Sequence, residues 1–176
     1  MTDDEAAKAV ATAIETGYRL IDTAENYKNE TGVGQGIRDA GVARDEVFLT
    51  TKMNKQWHSV DGARRACEAS LERLGLDYID LFLIHWPDKD RPFSEPMEVL
   101  EEAKKAGKIR YSGVSNFSVD MMAECRESSP IVTNQIGYHI FDRRPEAEVM
   151  PFVRENGMGI MAYGSLSHGL LTGTWG

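Results

Sequence analysis

The sequence predicts an α/β protein built around a parallel sheet of about six strands. Short apolar stretches alternate with longer amphipathic ones, and strand starts fall near residues 18, 47, 79, 109, 131 and 158. That spacing of roughly 22 to 32 residues is what alternating β and α units require. A second regularity is that a polar side chain sits at the end of each apolar stretch. The 176 residues, 41% hydrophobic and 27% charged, can bury a core, and no shift in composition divides them, so one partial domain over 1–176 is expected.

"TDDEAAKAVATAIETG" opens with Thr2 and Glu5 in capping-box spacing, places Ala7, Val10, Ala11 and Ile14 on one helical face, and stops at Gly17. "YRLID" follows as a short strand. "EVFLTTK" is the next, and "SVDGARRACEASLERLG" is a helix with Ser59 as its cap and Gly75 as its end. "YIDLFLIHW" is almost continuously apolar, as expected of a strand covered on both faces. Its helix, "SEPMEVLEEAKKAG", begins at Ser94 and Pro96, pairs Glu101 with Lys105, and ends at Gly107. "IRYSGV", "IVTNQI" and "GIMAY" complete the strands, with helices around 118–128 and 145–156, the latter opened by Pro145.

Composition excludes several classes. Twenty basic against 28 acidic side chains give a net charge of -8 with no basic cluster, which argues against nucleic acid as a partner. No apolar run approaches the ~18 residues of a membrane-spanning helix, and the N-terminus is acidic, so a cytoplasmic protein without membrane contact is expected. Cys67 and Cys125 lie far apart inside helices and read as buried thiols. His58, His139 and His168 read as loop or surface residues, so no metal site is expected.

Two parallel folds compete. "GVGQG" at 32–36 resembles a phosphate loop, but Ile37 stands where a third glycine belongs and no strand runs directly into it. Helical glycines against a neighbouring backbone explain it better. The other candidate, a closed (β/α)8 barrel, needs about 200 residues or more, and this chain supplies about six of the eight units.

Asp22, Lys52, His85, Asn116, Gln135 and Tyr163 each fall at or just beyond the end of a successive strand. In a parallel barrel those ends share one rim, where active sites are built. Taken singly, Asp22 and Lys52 read equally well as a structural ion pair, His85 as a strand cap, and Tyr163 as packing. Together they make coherent chemistry. A phenol has a reference pKa of about 10, and a nearby ammonium stabilises its anion, so Lys52 should lower the pKa of Tyr27. Asp22 would hold the ammonium, and His85 could donate to a substrate oxygen. Such a site protonates an oxygen as charge develops on it, as in reduction of a carbonyl by hydride, for which a cofactor is needed.

The stretches "LIDTAENYKNETGVGQGIR", "VFLTTK", "LDYIDLFLIHWP", "GKIRYSGVSNF", "NQIGYH" and "AYGSLSHGLLTG" resemble the aldo-keto reductase family along essentially the whole chain. The resemblance implies a (β/α)8 barrel of the TIM type, with Tyr27 as general acid, Lys52 and Asp22 as its tuning pair, and His85 orienting the carbonyl. It implies NADPH as cofactor, with NADH as the alternative, and a small carbonyl compound as substrate. Ser115, Asn116 and Gln135 would hold the nicotinamide carboxamide, Asp22 would lie near its ribose, and Tyr163 would stack on the ring. Where the family commonly carries Ser-Pro-Leu or Gly-Pro-Leu in the pyrophosphate loop, this chain has Gly164, Ser165 and Leu166. It further implies that the barrel is incomplete, with the first and eighth strands missing, two sheet edges exposed and self-association through them.

Other readings stay open at this point. A cofactor-binding regulatory module would need no turnover, and a barrel aldolase would use Lys52 as a Schiff base. Trp57 and Trp86 are walls of a substrate pocket or ordinary loop packing.

Overall fold

The computed structural model describes residues 1–173. Six strands form one sheet in chain order: β1 (Leu20–Asp22), β2 (Phe48–Met53), β3 (Ile79–Ile84), β4 (Ile109–Ser115), β5 (Thr133–Gly137) and β6 (Gly159–Tyr163). Every neighbouring pair is parallel. The helix α1 (Asp3–Glu15) precedes β1, and α2 (Glu30–Asp39), α3 (Val60–Leu74), α4 (Ser94–Lys105), α5 (Val119–Ser128) and α6 (Val149–Glu155) fill the successive crossovers.

The sheet curls. Gln135 Nε2 on β5 donates to Asp22 Oδ1 on β1 at 2.8 Å. Four steps of a flat sheet at ~4.8 Å each would hold those strands about 19 Å apart, so the hydrogen bond requires the strands to bend round a common interior. The result is an open six-stranded parallel half-barrel, as expected from the sequence. Among the described residues β1 pairs only with β2, and β6 only with β5. All six residues of β3 are buried, whereas none of the five in β6 is.

Local signals explain the helix ends. Thr2 and Glu5 form a reciprocal capping box on α1, Ser59 caps α3 through Gly62 N, and Gly75 closes α3 at φ 63°. The glycines of α2 are packing devices: a Cβ on Gly32 would lie 2.1 Å from Asp3 O, one on Gly34 1.8 Å from Leu74 O, and one on Gly36 2.5 Å from Ala7 O. They let α2 lie directly on the backbones of α1 and α3. Phe82 and Ile84 of β3 are fully buried in the core that also holds Leu49, Leu74, Met97 and Leu100.

Two local expectations are corrected. Glu101 pairs with Lys104 at 2.8 Å rather than Lys105, because its carboxylate also accepts from Ser129 Oγ, which turns it toward the i+3 side. The stretch opened by Pro145 is a 3-10 turn, Arg144–Glu146, and α6 starts only at Val149 after Glu148 leaves helical geometry at φ −131°. His58 lies in a loop, as expected, and is fully buried there beside Phe93. Among the described residues no helix is long and apolar enough to cross a membrane.

Candidate active site

The parallel order sets all strand ends on one rim, and the polar side chains found there form a connected cluster. Asp22 is the last residue of β1, Lys52 lies one before the end of β2, and His85 follows β3 directly. Asn116 follows β4, Gln135 lies within β5, and Tyr163 ends β6. Tyr27 arrives from a 3-10 turn, Glu25–Tyr27, that leaves β1, and Lys28 at φ 55° then redirects the chain into α2.

Lys52 is fully buried, and its Nζ donates to Asp22 Oδ2 at 2.6 Å and to Thr23 O at 2.7 Å. The same ammonium lies 5.1 Å from the centroid of the Tyr27 ring. Tyr27 meets His85 edge-on, with centroids 5.9 Å apart. On the far side, Tyr163 donates its hydroxyl to Asn116 Oδ1 at 2.7 Å, while Asn116 Nδ2 donates to His85 O and Ser115 Oγ. Ser115 Oγ in turn donates to Gln135 O, and Gln135 reaches Asp22. Asn116 occupies the left-handed region at φ 64°, which aims its amide back across the rim.

The electrostatics differ from expectation at one residue. Burial, then the Asp22 charge and Tyr163, push the Tyr27 phenol above its usual 10, not below it. The Lys52 ammonium, 5.1 Å from the ring centroid, does not outweigh them. Burial holds Lys52 below its usual 10.5, against the opposing pull of Asp22. His85 is held below its usual 6.5, first by burial and then by Lys52, so it is neutral at pH 7. Its buried Nδ1 has no hydrogen-bond partner among the described residues.

Gly164, at φ 69°, shares with Tyr163 and Asn116 the wall of a cavity of about 540 Å³. Ser165 and Leu166 continue the loop as exposed residues outside that wall. Asp22 and Tyr27 line a different cavity, about 650 Å³, that runs down the free edge of β1 past Leu20 and Val33. Glu25 is the residue that sequence reasoning missed. Its carboxylate accepts from Trp57 Nε1 at 2.8 Å and from Asn54 N, tying the Tyr27 turn to the loop after β2. A loop glutamate carries no mark of such a role until its partner, 32 residues away, is seen. Trp57 is therefore anchored packing, while Trp86 stacks on His85 and stays 49% exposed.

A statistical model of the Aldo/keto reductase family matches residues 1–175. The chain belongs to that family. It is 43% identical over 170 residues to the glyoxal reductase of Bacillus subtilis (strain 168), covering 96% of this chain and 60% of the relative. The aldo/keto reductase fold match is as close: an aldo-keto reductase from a Medee basin deep-sea metagenome library superposes with a TM-score of 0.91 at 33% identity, covering 98% of this chain and 64% of that one. An aldo/keto reductase from Klebsiella pneumoniae, solved in complex with NADP and acetate, gives 0.86 at 35% identity, with coverage of 97% and 62%. The chain spans about 60% of the length of the curated relative and of these two structures.

Proposed function

We propose that the rim is the active site of an NADPH-dependent reductase that converts aldehydes or ketones to alcohols, with NADH as the alternative coenzyme. The observation that carries this reading is the placement of Tyr27 edge-on to a neutral His85 and within 5.1 Å of a lysine clamped by Asp22.

The donor set fits a nicotinamide. Two carboxamides, Asn116 and Gln135, and the Ser115 hydroxyl cluster beside Tyr163, whose ring is 43% exposed and lies against Gly137, where an added Cβ would come within 3.4 Å of it. Those residues would hold the carboxamide and face the ring, Asp22 would lie toward the ribose, and Gly164, Ser165 and Leu166 toward the pyrophosphate. The bound cofactor supplies the hydride that no side chain can. Tyr27, protonated at neutral pH because its phenol is raised, donates its proton to the substrate oxygen. Lys52 stabilises the charge left on the phenolate, and Asp22 with Thr23 O keeps the ammonium in place. His85 orients the carbonyl by hydrogen bonding without giving up a proton.

The test follows NADPH consumption with a reactive aromatic aldehyde. Tyr27→Phe should cut the rate by at least ~100-fold, within the usual reach of general acid catalysis, while NADPH binding persists. Unchanged turnover in the variant refutes the mechanism. Binding without turnover in the parent chain favours a cofactor-binding module instead.

A further inference from the structure

Beside Tyr27 and His85 lies a separate pocket of about 440 Å³, lined by Asn26, Asn54, Lys55, Gln56, Trp86 and Pro87. It is contiguous with the catalytic cluster at two points. Asn26 immediately precedes Tyr27, and the Trp86 indole stacks on the His85 imidazole at 6.2 Å and 22°. Its chemistry is one-sided, with three carboxamides, one ammonium, an indole floor and no carboxylate. Lys55 has neither an ion pair nor a hydrogen bond among the described residues, so its charge is available to a ligand. Glu25, the residue before Asn26, is occupied by Trp57 and Asn54. A cationic pocket on a chain of net charge -8 is not a by-product of overall composition.

We propose that Lys55 makes this pocket selective, favouring carbonyl compounds that carry a carboxylate. The indole of Trp86 would face the flat or apolar body, the amides of Asn26, Asn54 and Gln56 would hydrogen-bond the polar end, and Lys55 would pair with its charge. The inference rests on the reductase reading of the rim and deepens it. It differs from that reading in depending on loop residues outside the proton-transfer cluster.

The probes are 4-(hydroxymethyl)benzoate and its methyl ester, alcohols that share one skeleton and differ in charge, and that cannot form imines with lysine. Calorimetric titration into the chain should show the carboxylate binding about three- to fivefold tighter than the ester, the range of a partly exposed ion pair. The preference should fall as salt is raised. Lys55→Gln should abolish the preference, and Lys8→Gln on the remote α1 should leave it intact. Equal binding of the two alcohols, binding of neither, or a preference that survives Lys55→Gln overturns the proposal. Turnover is not needed for any of these readouts. A chain that reduces aldehydes without charge preference loses only this proposal, and one that shows the preference without consuming NADPH loses only the reductase reading.

Discussion

Replacing Asp22 by Asn should expose how the rim is held together. Lys52 is fully buried, and its two acceptors among the described residues are Asp22 and Thr23 O. Removing one partner of a buried ion pair costs about 3–5 kcal/mol. The Asp22 side chain is 30% exposed, so water can soften the loss to about 2–4 kcal/mol, a large share of the ~5–15 kcal/mol that stabilises a typical domain. Urea unfolding of the parent, Asp22→Asn, Lys52→Met and the double variant would measure it. The double variant should be more stable than Asp22→Asn by at least ~1 kcal/mol, because it no longer buries an unpaired charge. The pH dependence has a definite sign. Lys52 titrates below its usual 10.5 in the folded chain, so between that lowered value and 10.5 the unfolded chain binds more protons and stability rises with pH. Loss of Asp22, which opposes the lowering, widens that window. The deficit of Asp22→Asn should therefore shrink as pH climbs toward 10.5. Equal instability of the single and double variants, or a deficit independent of pH, refutes the reasoning.

Other outcomes follow from the same geometry. Gly34→Ala should destabilise by about 2–3 kcal/mol despite the better helix propensity of alanine, since its Cβ would lie 1.8 Å from the Leu74 carbonyl; an unchanged urea midpoint contradicts this. Asp80→Asn should cost about 3 kcal/mol, because the fully buried carboxylate accepts from Arg44, Arg110 and Leu49 N, whereas Asp142→Asn, whose partner Arg144 is exposed, should shift the urea midpoint far less in the same assay. Burial pushes the Cys67 thiol up to about 11 and the Cys125 thiol up to about 12. Both should resist an aromatic disulfide reagent at pH 8 in the native chain and react at once in denaturant; fast native labelling contradicts their burial.

What could be read from the sequence was local or periodic. The Thr2 capping box, the stop at Gly75 and the apolar run of β3 each depend on residues a few positions apart, and the glycines of α2 have no other reading once the phosphate loop fails. The rim could be anticipated because a parallel sheet puts every strand end on one side, so sequence order alone places six polar residues together. What could not be read depends on distant partners. Glu101 chooses Lys104 because of Ser129, 28 residues along. His58 is buried with Phe93, 35 positions along, against it. The phenol of Tyr27 is raised by burial, by Asp22 and by Tyr163, and the last of these arrives from β6 at the other edge of the sheet. The hydrogen bond from Gln135 to Asp22, which fixes the curl, spans 113 positions.

The central claim is that this rim binds a reduced nicotinamide cofactor in position to react, and a fluorescence titration of NADPH into the chain and its Tyr163→Ala variant tests it most directly. Saturable binding to the parent is expected, weakened about tenfold without the Tyr163 ring, with thermal stabilisation of about 2.7 kcal/mol when NADPH reaches 100 times its dissociation constant. No saturable signal in the parent, or equal binding by the variant, would contradict the account.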